Sequence, residues 1–325
     1  MNARIALLLA VALAPRARAQ ATAFVSNEGS HDVSVVDLTA RRTVATIKLA
    51  GRARGIHLSP DNRTLYVATS DDKPRPGSTS KANAITVIDV ATRKISASYR
   101  VGSDPEQFAL TPDGRFIYAS NEDGGTATAV DTRTGKEAVT LVVGIEPEGV
   151  AVSPDGKWVA VTAETSNSVS IIDQKKQKVI DNLLVDLRPR AAAFSPDGAR
   201  LYVTAEISGT LSVIDAKTHA LTKTIVLGRG EAKPVGVAVS PDGRRVYVVG
   251  GATGALYVID AASNGVLATI PVGKRPWGVA VSADGRFVYT ANGMSNDMAV
   301  VDVAANKVVG RVGVGQRPWG VAVTR

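Results

Sequence analysis

Short apolar runs, each closed by polar turn residues, follow one another along almost the whole chain. One stretch reads GVAVS, KWVAVTA, SVSIID and KVIDNLLV, separated by SPDG, ETSN and QKKQ turns. Runs this short and rich in β-branched residues predict strands, and the separators predict tight turns. Helical periodicity is nearly absent.

Two marks recur through this pattern. The first is Ser/Thr-Pro/Ala-Asp-Gly/Asn: SPDN at 59, TPDG at 111, SPDG at 153, 195 and 240, SADG at 282. The second is an Asp closing a β-branched run, at Asp37, Asp89, Asp131, Asp173, Asp215, Asp260 and Asp302, in steps of 52, 42, 42, 42, 45 and 42. A near-constant period of this length with four strands per unit predicts propeller blades. Seven Asp marks predict seven blades. The first blade begins at AFVSNEG, which corresponds to a second strand, and the terminal RPWGVAVT is a first strand with no blade after it. The two incomplete pieces are expected to complete one blade and close the ring, removing the free edge of an open array. The expected fold is therefore all-β: a seven-bladed β-propeller of four-stranded blades over residues 20–325. Both marks have structural explanations, since the SPDG turns preset φ and the Asp side chains accept turn N–H groups.

Propeller geometry puts the SPDG turns on one face. The entries to the first strands, and the loops joining second to third strands, fall on the other. The two departures from the period also map to this second face, at DDKPRPGSTSKANA (71–84) and GRGEAKP (228–234). At the entry to the first strands one position reads Arg54, Glu106, Glu148, Arg190, Val235, Trp277 and Trp319 around the ring. Two residues outward stand Arg52, Asp104, Glu146, Arg188, Lys233, Arg275 and Arg317. The neighbouring loops add Asn27, Glu28, Asn121, Glu122, Glu164, Glu206 and Asn292. This asymmetry has two readings: a site for a polar or planar ligand or a docking partner, or ordinary loop charge settled in Arg–Glu pairs. Glu106 and Glu148, on adjacent blades, are candidates for an acid/base pair. His57 stands where the other blades have Ala109, Ala151, Ala193, Ala238, Ala280 and Ala322. It is either a hydrogen-bonded residue filling the channel or a ligand or proton carrier; one His is not a metal site.

Composition narrows the function classes. There is no Cys, so disulfides, thiolate zinc sites and c-type haem attachment are excluded. The opening MNARIALLLAVALAPRARAQ has a basic start, a short apolar run and Ala17-Arg18-Ala19 before Gln20. That pattern predicts a signal peptide over residues 1–19, cleaved after Ala19, and export to the periplasm. The apolar run is too short to span a bilayer. Formal net charge is +8, and removing Arg4, Arg16 and Arg18 leaves about +5. The cations are scattered rather than striped, which argues against nucleic acid as a partner. No nucleophile elbow, P-loop, HExxH or dinucleotide fingerprint occurs, so no catalytic residue, metal or cofactor is expected.

GVAVSPDGRRVYVVG and RPWGVAVSADGRFVYTANG resemble the repeats of YVTN-type β-propellers. AFVSNEGSHDVSVVD, DPEQFALTPDGRFIYASNED, EPEGVAVSPDGKWV, AETSN, VDLRPR, AEISGTLSVID, NGMSND and the closing RPWGV together resemble the periplasmic propellers called PQQ-dependent catabolism-associated proteins. The resemblance implies a non-enzymatic accessory protein that binds a quinoprotein dehydrogenase, its redox partner or a small polar ligand in PQQ-dependent alcohol oxidation. It transfers no catalytic residues. The loop at 71–84 departs from the family pattern. Two alternatives stand beside this reading: a lactonase-like hydrolase using the carboxylates at the channel mouth, and a tetrapyrrole carrier using His57.

Overall fold

A computed structural model of the chain describes residues 21–73 and 78–324. The leader expected at 1–19 lies outside the described residues, as do residues 74–77 of the loop at 71–84. The described strands group into seven antiparallel four-stranded sheets. The sheets follow one another around a ring. Inner strands run Arg52–Leu58, Pro105–Leu110, Pro147–Val152, Pro189–Phe194, Pro234–Val239, Pro276–Val281 and Pro318–Val323. We number the blades I to VII in chain order, blade I taking the last of these as its inner strand.

That last strand pairs with Thr22–Asn27, Phe24 lying opposite Ala322 and Val25 opposite Val321. Thr22 N donates to Thr324 Oγ1 at 3.0 Å, and Thr324 N to the Thr22 carbonyl at 2.9 Å. The ring is closed as the repeat pattern predicts. Buried side chains then fill the wedges between neighbouring sheets. Phe24, Val33 and Val35 of blade I, for example, pack with Leu65, Val67 and Ile88 of blade II.

The two sequence marks act locally. In blade IV, Ser153 Oγ donates to Asp155 Oδ1 at 2.6 Å, Lys157 N donates to the same oxygen at 3.0 Å, and Gly156 takes φ +71°. Asp173 Oδ1 accepts from Lys176 N at 2.9 Å in the next turn. Equivalent Asp–amide bonds form at all seven third-strand ends. These contacts hold turns, not a site.

Each inner strand of blades II to VII shifts register against its neighbour just after its entry. In blade IV, Pro147 faces Ala163 while Val150 already faces Val161. Three steps oppose two, which is a β-bulge, and a bulge re-aims the side chain it carries. Glu148 sits in this one; Arg54, Glu106, Arg190, Val235 and Trp277 occupy the equivalent places. No helix among the described residues is long and apolar enough to cross a membrane.

Candidate functional site

The bulged positions sit at one end of a channel between the inner strands. There a cavity of about 130 Å³ is lined by Glu148, Arg190, Trp277, Trp319, Gln107 and His57, with glycine backbone between them. By the measure of roughly 10–15 Å³ per water, this space holds several waters or a small molecule. His57 also lines a second chamber, together with Leu58, Ser59 and Asn62, so it sits where the two spaces meet. Its ring packs edge-on to Phe108 with centroids 5.0 Å apart.

Small residues let the inner strands converge. A Cβ on Gly278 would lie 2.6 Å from the Trp319 carbonyl oxygen, and one on Gly149 would strike the Arg190 carbonyl. Only glycine fits so close a backbone approach. Hydroxyls on the second strands then latch one blade to the next. Ser120 Oγ donates to the Glu148 carbonyl at 2.5 Å and Thr162 Oγ1 to the Arg190 carbonyl at 2.8 Å. Ser26 and Thr204 do the same to Arg54 and Val235. These latches fix the backbone of the ring residues. They were not singled out in the sequence because a Ser or Thr in a strand has no distinctive spacing; Gln107, with its buried Oε1, was missed likewise.

The aromatic side of the cavity is a stacked pair. Trp277 and Trp319 lie 6.2 Å apart at 14°. Arg190 and Arg275 hold their guanidiniums over the Trp277 ring at 5.3 and 4.6 Å. Arg190 thus reaches past blade VI, whose equivalent residue is only Val235.

The charged residues gather in two clusters. In the first, Arg190 is the hub: it pairs with Glu148, with Glu164, and with Glu206 at 2.7 Å. Arg188 meets Glu164 at 2.7 Å, and Arg275 meets Glu206 at 3.0 Å. Three guanidiniums face three carboxylates here. Burial works against the Arg190 charge, yet the three carboxylates outweigh it and raise its pKa. Burial also pushes Glu206 up, but Arg190 and Arg275 dominate and hold it below the usual value. Glu164 goes the other way. Burial, then the charge and hydrogen bond of Glu148, push it up to about 9 against the pull of Arg190 and Arg188.

The second cluster surrounds Arg54, which pairs with Glu106, with Glu28 at 3.2 Å and with Glu122 at 3.7 Å. Arg52 bridges Asp104 at 2.7 Å and Glu28 at 3.3 Å, and Arg317 reaches Glu28 at 3.2 Å. Glu122 is pushed up to about 7, first by burial and next by the Glu148 charge.

Of the sequence candidates, then, Glu148, Arg190, Trp277, Trp319 and His57 line the cavity. Arg54, Glu106, Glu122, Glu164 and Glu206 lie in the ion-pair clusters around it. Much of the ring charge is settled in Arg–Glu pairs. The carboxylate hydrogen-bonded to Glu148 is Glu164, while Glu106 is paired with Arg54.

Fold and site together define a seven-bladed β-propeller with a polar-aromatic cavity at one mouth of its channel. The chain belongs to the choice-of-anchor I domain family, whose model matches residues 12–241. The model of the seven-bladed β-propeller lactonases matches residues 187–313. No curated protein matches the chain. Among solved structures, the Kuenenia stuttgartiensis hydrazine synthase superposes with a TM-score of 0.77 at 21% identity, over 87% of this chain and 92% of that one. A functionally unknown protein from Desulfotomaculum acetoxidans gives 0.79 at 17% identity, over 94% and 99%. At these identities the likeness is one of fold.

Proposed function

We propose that this protein is a binding propeller that takes a small, planar, polar molecule into the cavity between Glu148, Arg190, Trp277 and Trp319. The observation that carries this is the lining itself: a stacked tryptophan pair beside an ion-paired Arg and Glu at a single concave mouth. Aromatic faces with a few fixed polar groups suit recognition of flat ligands that carry both donors and acceptors. The same face bears exposed Ile145, Leu187, Ile207 and Met294 in its loops, which suits docking of a protein partner over the mouth. The blade-specific strings and the leader pattern support a periplasmic accessory role beside a quinoprotein alcohol dehydrogenase. Native mass spectrometry with an absorption spectrum, on protein purified from its own host, tests the ligand. A retained small molecule that is lost in Trp319→Ala supports the reading; a bare chain mass, with no Trp fluorescence change across planar quinones and carboxylates, overturns it.

A hydrolase is the second reading, favoured by the lactonase-propeller match and by the Glu148–Glu164 pair. Two touching carboxylates, one held protonated, are the elements of acid/base catalysis. Turnover of a lactone panel that disappears in Glu148→Gln supports it, and no turnover by the wild-type protein with or without divalent metals removes it.

A further inference from the structure

Apart from Met294, the exposed apolar side chains of the mouth face gather on one side of the ring. The last residue of the outer strand is Val142, Leu184 and Val226 in blades III, IV and V, exposed by 78, 80 and 59%. In blades I and II the same place holds Lys48 and Arg100. The entry loops follow suit. Ile145 and Leu187 stand exposed before blades IV and V, whereas Lys274 and Gln316 hold that place before blades VII and I. Ile207, in the turn of blade V, donates its N–H to the Leu187 carbonyl at 3.2 Å, which ties the two loops together. These aliphatic side chains form a crescent over blades III to V. The far rim carries exposed Lys48, Arg100, Lys233, Lys274 and Arg317. Apolar side chains grouped in this way mark an interaction surface, whereas single ones do not.

Charge within the crescent is self-complementary. Glu146 and Arg188 are exposed there, at equivalent places before blades IV and V. Thr165 Oγ1 donates to Glu146 Oε2, and no cation pairs with Glu146 among the described residues. Arg188 turns its Nε to Glu164 at 2.7 Å, yet its side chain stays 44% exposed. The repeat supplies the matching geometry. A two-fold axis lying in the face between blades IV and V carries each residue of one blade onto the equivalent place of the other. Glu146 of one copy then meets Arg188 of a second copy, Ile145 meets Leu187, and Val142 meets Leu184, each contact occurring twice. An isologous dimer requires a patch that matches itself in this way. The far rims cannot close likewise, since cation would face cation. The contact is therefore confined to the crescent, and the mouth stays open on its cationic side.

We propose that the crescent over blades III to V is the contact between two copies of this chain, paired about that two-fold. A patch this small belongs with weak, transient interfaces, so the dimer should dissociate at roughly micromolar concentration. The inference rests on reading these loops as a docking surface and names their occupant; it does not depend on the ligand cavity.

Sedimentation equilibrium of protein purified from its own host, over about 1–200 µM to span that range, tests the pairing. The expected result is a mass that rises from one chain to two, with dimerisation at least ten-fold weaker in Leu184→Asp and in Glu146→Arg. The second change sets Arg against Arg188 at both ends of the contact. Arg188 itself stands at φ +62° and Glu146 at +55°, so an arginine suits that backbone. Ile95→Asp, at an exposed residue of blade II away from the crescent, should leave the dimer unchanged. The chain has no Cys, so Val142→Cys and Leu184→Cys proteins, mixed and mildly oxidised, report the register: the mixed disulfide should exceed both homodisulfides. A monomer at every concentration overturns the pairing while leaving the loops to a different protein. The pairing is equally overturned by a dimer that Leu184→Asp and Glu146→Arg leave intact, or by no excess of the mixed disulfide.

Discussion

Glu164 is the group on which the electrostatics of the mouth can be tested most directly. Its side chain is 3% exposed. It faces Glu148, Arg190 and Arg188, with Glu206 across the Arg190 hub and Glu146 on the adjoining strand entry. Its folded pKa stands at about 9 against an ordinary 4.5. For an acid raised on folding, the folded state holds the extra proton between those two values. Stability then falls as pH rises through that window, by about 1.4 kcal/mol per pH unit for one proton. Glu122 contributes in the same direction, but only up to its value of about 7. The interval from pH 7.0 to 8.5 therefore isolates Glu164 and carries a loss of about 2 kcal/mol. Glu164→Gln imitates the protonated side chain and cannot ionise in either state. It should remove that loss and leave the variant more stable than the wild type at pH 8.5. Urea unfolding followed by fluorescence at pH 7.0, 7.75 and 8.5 gives the comparison. Parallel pH profiles for the two proteins would refute the claim that Glu164 is held protonated.

Arg190→Met leaves Glu148, Glu164 and Glu206 without their common cation; breaking a buried pair costs about 3–5 kcal/mol, so unfolding at pH 7 should show a loss of that order, shrinking at pH 5 as the carboxylates protonate. Gly149→Ala drives a Cβ into the Arg190 carbonyl and should cost about 1–3 kcal/mol or more, whereas Gly313→Ala, with no atom within 4 Å of its Cβ, should change the denaturation midpoint little. Removing residues 318–325 strips the partner from Thr22–Asn27 and exposes a strand edge; size-exclusion chromatography should show aggregation, and a stable monomer would contradict the role of the closing strand.

The fold was legible because a propeller repeats its local chemistry. Each Ser-Pro-Asp-Gly is a turn whose Asp accepts nearby amides, and each strand-ending Asp does the same one turn later. Seven copies of a weak signal, in a fixed period, fix the blade count. The displaced first strand was legible for the same reason: RPWGVAVT matches the repeat and AFVSNEG lacks its beginning. The ring positions could also be aligned by number, which placed Glu148, Arg190, Trp277 and Trp319 at one mouth. Their partners could not be aligned in this way. Partner choice depends on how far a side chain reaches across the ring, and the inner-strand bulges decide that. Thus Arg190 passes blade VI to cover Trp277, and Glu148 meets Glu164 of its own blade.

The same reasoning explains why the mouth is the part of this molecule suited to carry function. Turns on the SPDG face must keep their residues, because each Ser, Asp and Gly there has a backbone task in its own blade. At the mouth, the structural tasks fall to the glycines and the hydroxyl latches, which hold the backbone by close approach and by carbonyl bonds. The side chain at each bulge is then not needed to shape its own strand or turn, although a buried ion pair such as that of Arg190 still adds stability. It can be Arg, Glu, Val or Trp without changing the blade beneath it. Seven such positions converge on one channel, so a few substitutions set charge, shape and aromatic surface together. Blades III and IV show how fine the control is. Both carry acids at the same three places, yet in blade IV Arg190 of blade V joins Glu148 and Glu164, while in blade III Arg54 of blade II joins Glu106 and Glu122 and Arg52 holds Asp104.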